Sequence, residues 1–320
     1  MDIVPLADDE PMPIEFENNK FVTPVEPVTE MFSLPSRGDI DPNPVMSIFY
    51  YLFFGLMLSD AGYGLLLVIA AAVMLKKMKP EGTRNKMVQL FLLGGVGSIF
   101  WGALFGSWFG NIIPVVAETF FGTTIGQLGL YDPIKDPMPL LILSFIFGII
   151  HLFTAMGINF YNLTRHGKLK DAIYDVGFWY LFLIGLILLI PIAPLGTPGV
   201  FQTGAVMAIA GALGLILTQG RSNSNFFARI FGGLSSLYDV TSYLSDVLSY
   251  SRLLALGLAT GVIAMVVNTM GSMAGGGIGG AILLIVVFVL GHTMNLLINV
   301  LGAVSYTHLD VYKRQIYFLP

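Results

Sequence analysis

The 320-residue chain contains no cysteine, which excludes disulfides, thiolate metal sites and cysteine nucleophiles together. Charge is scarce as well. Charged residues make up 11% of the chain against 55% hydrophobic, and mean hydropathy is +0.78. So few charges cannot cover the surface of a soluble domain of this size. Residues 1–44 hold ten acids against only Lys20 and Arg37, an acidic, proline-rich arm that argues against a nucleic-acid partner, which needs clustered lysine and arginine. The arm also lacks the basic and then apolar pattern of a signal peptide. No G-x-x-x-x-G-K-[ST] string occurs, so nucleotide binding through a P-loop is not expected, and no cofactor is. Gly275, Gly277 and Gly280 fit G-x-G-x-x-G, but in a short loop with no strand before it. His151 and His166 stand too far apart from other ligands to suggest a metal site. No repeat of 20–50 residues is visible, direct or inverted.

What the chain has instead is apolar length. Runs of the roughly 20 residues that an α-helix needs to cross a bilayer core recur along it. They fall at 45–75, 87–113, 138–162, 174–194, 199–219, 240–270 and 278–304, with glycines inside them rather than between them, as membrane helices tolerate. The fold class is therefore all-α: a polytopic transmembrane protein of about eight spans, one or two of them long and tilted, with the lipid bilayer as its solvent. The first run is too long for one untilted span, and Asp60-Ala61-Gly62-Tyr63-Gly64 interrupts it. It is either one tilted helix or two short ones folded at the glycines.

Loop charge favours the fold-back. Lys76, Lys77, Lys79, Arg84 and Lys86 come after the first run, Arg165, Lys168 and Lys170 after the third, and Arg221 and Arg229 after the fifth. Basic loops stay cytoplasmic. With the arm also inside, the first run crosses twice and both native termini are cytoplasmic. Residues 225–248 are amphipathic and read as the interfacial start of one long helix. Gly102, Gly106 and Gly110, four apart, read as a ridge for close helix packing.

Fifteen of the sixteen lysines and arginines lie in loops or tails; Arg252 does not. Arginine at bilayer depth costs about 2.5–3.5 kcal/mol on insertion scales, and such a residue usually faces a partner or a wet cavity. The plainer alternative is that Arg252 snorkels to the interface or pairs with Asp246. Asp60 is a second candidate, with helix capping as its structural alternative. His292, Asn295 and Asn299 recur at spacings of three and four, hence on one helix face. Such a stripe lines a polar path or glues helices together.

Several blocks resemble the membrane domain of the V-type ATPase stator subunit, called subunit a in eukaryotes and subunit I in bacteria and archaea. Val28-Thr29-Glu30-Met31-Phe32-Ser33-Leu34-Pro35 and Ile40-Asp41-Pro42-Asn43-Pro44 look like the approach to its first membrane helix. Phe53-Phe54-Gly55-Leu56-Met57-Leu58-Ser59-Asp60-Ala61-Gly62-Tyr63-Gly64 looks like its F-F-G-x-M-x-x-D-x-G-Y-G block. Phe105-Gly106-Ser107-Trp108-Phe109-Gly110 and Gly148-Ile149-Ile150-His151 match further along. Ser249-Tyr250-Ser251-Arg252-Leu253-Leu254-Ala255-Leu256 carries the S-Y-x-R-L-x-A-L string around the family's essential arginine.

The resemblance implies a division into 1–44, a remnant of the soluble stator domain; 45–304, the ion-translocating membrane domain; and 305–320. In that last segment, which opens Ser305-Tyr306-Thr307-His308-Leu309, the residues depart from the family's H-S-L-R-L-Q-like string and look like a non-native tail, so no family role passes to Arg314. The implied partners are a rotor ring of small carboxylate-bearing subunits, a peripheral stalk and the soluble ATPase sector. The implied membrane is the cytoplasmic one of a bacterium or archaeon. Arg252 is then expected to release an ion, H⁺ or Na⁺, from each ring carboxyl that reaches it. A nearby arginine favours the charged form of an acid, and arginine keeps its own charge in poor solvent. Ser249, Tyr250, Asn295 and Asn299 are candidate polar neighbours on the ion pathway, with His292 and Asp60 beyond them. The chain alone is not expected to be an enzyme. The competing reading is a standalone secondary transporter or channel in which Arg252 binds an anionic substrate.

Overall fold

A computed structural model describes residues 16–31, 40–126, 128–190, 197–221 and 225–316, with Phe226 and residues 308–316 as backbone only. The rest of the acidic arm and residues 317–320 of the expected tail lie outside the described residues. Among those described, every extended regular element is a helix. The order is α1 (Glu26–Glu30), α2 (Asn43–Leu58), α3 (Ala61–Lys77), α4 (Gly82–Phe105), α5 (Ile112–Phe121), α6 (Met138–Arg165), α7 (Leu169–Asp171), a π-helical turn at Ala172–Gly177, α8 (Phe178–Leu188), α9 (Pro198–Thr218), α10 (Phe226–Ser236), α11 (Val240–Ser249), α12 (Ser251–Ser272) and α13 (Ile278–Ile316). Among the described residues six stretches are long and apolar enough to cross a membrane: Gly82–Phe105, Met138–Arg165, Leu169–Leu188, Pro198–Thr218, Phe227–Ser272 and Ile278–Thr307. With the paired shorter helices α2 and α3 the count is close to the eight expected.

The chain forms two compact units, Met1–Ser144 with Tyr250–Lys313, and Phe145–Ser249 with Arg314–Pro320. In the first, the long opening run is two helices. Ser59 turns left-handed at φ 38° and ends α2, and the extended Asp60 caps α3 through the Tyr63 amide. At 1.5 Å per residue each helix is about 25 Å long, somewhat short of the roughly 30 Å hydrocarbon core. α3 runs back along α4. Gly102 of α4 lies against the Asp60–Ala61 backbone, and Gly64 of α3 lies against Gly95 and Ser98. Lys86, near the start of α4, pairs with Glu26 at 2.8 Å and Glu30 at 3.2 Å, while Thr29 donates to Asn43 at the start of α2. The run therefore returns to the end of the bundle from which it began. Val25 and Val28 of the arm are fully buried, so this short acidic stretch is packed and not merely polar.

Three expectations need correction. The glycine ridge is not helical beyond Gly102: α4 ends at Phe105, Gly106 caps it at φ 71°, and Gly110 sits at φ 65° in the next turn. Glycine serves there because L residues rarely take that backbone conformation. The stretch expected to be a loop after residue 113 contains the apolar helix α5. The amphipathic lead-in is helical but jointed, with a 3-10 turn at Leu237–Asp239 and a break at Tyr250 before α12. At the other end, α13 keeps a helical backbone through Ile316.

In the second unit, Trp179 and Leu183 of α8 close over Leu152, Met156 and Leu215. Gly185 admits the backbone of Gly204 and Ala208, and Gly211 that of Phe182. Apolar burial gives little drive between helices in lipid, so small residues that allow close backbone approach carry the association. Arg221, just after α9, pairs with Asp171 and Asp175 at 2.9 and 2.6 Å and lies over the Tyr174 ring.

A Cβ at Gly102 would collide with the Ala61 backbone nitrogen, whereas one at Gly199 would meet nothing within 4 Å. Gly102→Ala should therefore lower stability by about 1–3 kcal/mol, read as a drop in detergent melting temperature. Gly199→Ala should melt like the parent.

Candidate functional site

The polar residues of the first unit form one connected seam. Its anchor is Asp60, fully buried at the α2–α3 bend. The Tyr63 and Phe109 amides each donate to Oδ1 at 3.0 Å; the Ser107 hydroxyl and the Gly110 amide donate to Oδ2 at 2.6 and 2.7 Å. One side chain thus starts α3 and grips the Ser107–Gly110 turn. That turn in turn receives α12: the Asn268 amide donates to the Phe109 carbonyl at 2.8 Å and to Asn111 Oδ1 at 3.1 Å.

Asn268 orients its neighbour. With its amide nitrogen committed, Asn268 Oδ1 is left to accept, 2.9 Å from His292 Nε2. His292 Nε2 therefore carries a proton, and Nδ1 is free to accept from the Tyr63 hydroxyl 2.5 Å away. The Tyr63 oxygen accepts from Asn295 Nδ2 at 2.9 Å, which also donates to the Thr260 carbonyl at 3.0 Å. Asn299 Nδ2 closes the series on Asn295 Oδ1 at 2.5 Å. All of these donors and acceptors are matched with a neutral imidazole. The aromatic rings of Tyr63, Phe109 and Phe288 surround His292 at centroid distances of 5.7, 5.6 and 4.3 Å.

α12 and α13 run antiparallel, with Gly271 against Leu284, Gly291 against Val267 and Gly302 against Leu256. α12 also packs on α2, where Gly257 lies against the Leu56 carbonyl and Ser59. Arg252, half-buried, is at the far end of this hairpin, its guanidinium 5.3 Å over the Tyr306 ring. Tyr250 is buried edge-on against Phe53. Ser249 belongs to the second unit and donates to the Asp246 carbonyl.

The structure thus joins His292, Asn295, Asn299 and Asp60, and it leaves Arg252 apart from them. Thr260 and Asn268 come eight and sixteen residues after Arg252, so the seam spans about 12–24 Å beyond the arginine along the helix axis. Sequence reasoning missed Asn268, Tyr63, Thr260 and Ser107 as members. For Asn268 a signal existed, an amide within an apolar run, the same criterion that singled out Arg252. No group of three or more residues able to hold a metal occurs among the described residues.

These features define a polytopic helical membrane protein whose arginine-bearing hairpin is bolted to the rest of its unit by a buried polar seam. No protein-family model matches the chain, but curated proteins do. It is 30% identical to the A-type ATP synthase subunit I of Methanocaldococcus jannaschii over 319 residues, 92% of this chain and 45% of that protein. It is 33% identical to the same-named subunit of Thermococcus kodakarensis over 303 residues, 92% of this chain and 44% of that protein. The V-type ATP synthase subunit I of Chlamydia pneumoniae is 24% identical over 369 residues, 95% of this chain and 53% of its own. Over about nine-tenths of its length the chain is similar to these A-type and V-type ATP synthase subunit I proteins, and it spans about half the length of the relatives it matches.

Asp60→Ala would strip one acceptor set from three buried amides and a hydroxyl, at about 1–3 kcal/mol for each group left unpaired. Its loss should exceed about 3 kcal/mol in thermal unfolding in detergent. Tyr63→Phe, which removes a single bridging hydroxyl, should cost about 1–2 kcal/mol. Equal losses for the two would deny Asp60 its place as the anchor.

Proposed function

We propose that the chain is the membrane-embedded stator part of a rotary A/V-type ATPase. It would pass H⁺ or Na⁺ between half-channels against a rotor ring and so couple ion movement to ATP hydrolysis or synthesis. The observation that carries this reading is Arg252, a half-buried guanidinium on α12 within Ser249-Tyr250-Ser251-Arg252-Leu253-Leu254-Ala255-Leu256. The kinship with subunit I proteins supports it.

The chemistry needed is limited. A neutral carboxyl crosses lipid at little cost, and a carboxylate at great cost. A fixed guanidinium lowers that cost at one place only. A ring carboxyl arriving at Arg252 gives up its ion there and takes another after moving on. The same positive charge repels ions that would pass straight from one half-channel to the other. Under this reading the basic loops and the native termini face the cytoplasm. The ring, the peripheral stalk and the soluble motor supply what this chain lacks, and nucleotide is bound elsewhere.

In the assembled complex, Arg252→Ala should reduce ion-coupled ATP turnover at least about 100-fold, with subunit composition unchanged on purification. Arg252→Lys should rescue little, since a lysine can lose its charge in a poor solvent. Pumping by Arg252→Ala at the parental rate would remove the arginine from the mechanism. Solute or ion flux through the purified chain in liposomes, without ring or motor, would favour a standalone transporter.

A further inference from the structure

The connection between α3 and α4 in the first unit has the makings of a ligand site that the ion pathway does not use. An open groove of about 840 Å³ lies there. Its apolar wall is Met74, Met78, Met87 and Val88, and its rim carries Lys79 and Arg84 with Glu81 between them. Lys79 holds a left-handed backbone at φ 45°, ahead of Pro80. Both rim cations are exposed, and among the described residues neither makes an ion pair or side-chain hydrogen bond. Lys86, by contrast, is held by Glu26 and Glu30. Lys76 and Lys77, also exposed, add two more positive charges in the last turn of α3.

We infer that this groove binds the headgroup of an anionic phospholipid. Lys79 and Arg84 would meet the phosphate, and the upper acyl chain would lie along the methionine wall. Three features favour a lipid over a soluble anion or a peptide. The site is at the ends of two apolar helices, where headgroups lie. It joins unpaired cations to an apolar wall, as an amphiphile requires, and basic residues at such a level attract anionic lipid. Methionine is unbranched and pliable, suited to a chain that must fit without a fixed shape. Glu81 disfavours a second negative charge beyond the phosphate group, which points to a singly charged headgroup such as phosphatidylglycerol.

The purified chain in detergent, titrated with phosphatidylglycerol and monitored by native mass spectrometry, should retain one lipid per chain more tightly than the rest. Phosphatidylcholine should not compete for it. Lys79→Gln with Arg84→Gln should weaken that binding about thirtyfold, the size expected for two interfacial cations. Lys168→Gln with Lys170→Gln, which removes the same net charge from exposed positions at the start of α7 in the second unit, should leave it within about twofold. Equal weakening by both pairs would reduce the effect to total charge and overturn the site. Displacement of the lipid by millimolar inorganic phosphate would do the same, by showing an anion site with no use for the acyl chain. Failure of the rim pair to change retention would also overturn it.

Discussion

A carboxyl group with no exposure to solvent, in a bundle meant for lipid, is tolerated only when its oxygens are answered. Asp60 has four donors for two oxygens, and much of the first unit depends on how it obtains them. Tyr63 supplies one by starting a helix, so the chain must bend at Ser59. Ser107, Phe109 and Gly110 supply the others by folding a tight turn, so α4 must stop at Phe105. The turn then presents the Phe109 carbonyl to Asn268, and α12 acquires its height relative to α3 and α4. Remove the acid, and the bend, the turn and the seat of α12 lose a common support.

Packing between the helices then works by subtraction. Gly55 meets the backbone of Gly97, Gly64 that of Gly95, and Gly102 that of Asp60 and Ala61. These contacts are backbone on backbone, with no side chain between to set a looser spacing. Dispersion and interhelical hydrogen bonds supply the attraction that hydrophobic burial supplies in water. The same device joins α8 and α9 in the second unit through Gly185, Gly204 and Gly211.

Much of this was legible in the residues and some was not, for reasons that can be named. Apolar length gave the helices, and the polar Asp60 beside two glycines gave the break. The end of α4 was hidden, because the run stays apolar past Phe105 and nothing in hydropathy distinguishes a helical glycine from a left-handed one. The short helix α5 was hidden by the same continuity. Of the seam, the stripe of His292, Asn295 and Asn299 was readable as a helical face, since spacing alone determines it. Its partners were not. Tyr63 lies 229 residues from His292, and Asn268 lies 159 from Phe109, and no local pattern records such pairings.

The position of the seam bears on how Arg252 would act under the proposed function. An arginine that acts on charges moving past it must keep its place when the attraction changes, and its own helix must take the load. α12 is held at Gly257 by α2, at Thr260 through Asn295, and at Asn268 by both the turn and His292. Each anchor lies on one side of the arginine along the helix, and none is the arginine itself. The guanidinium itself lies over the Tyr306 ring, away from those anchors. A helix fixed by neutral hydrogen bonds at positions other than its cation keeps its frame while the contacts of that cation change.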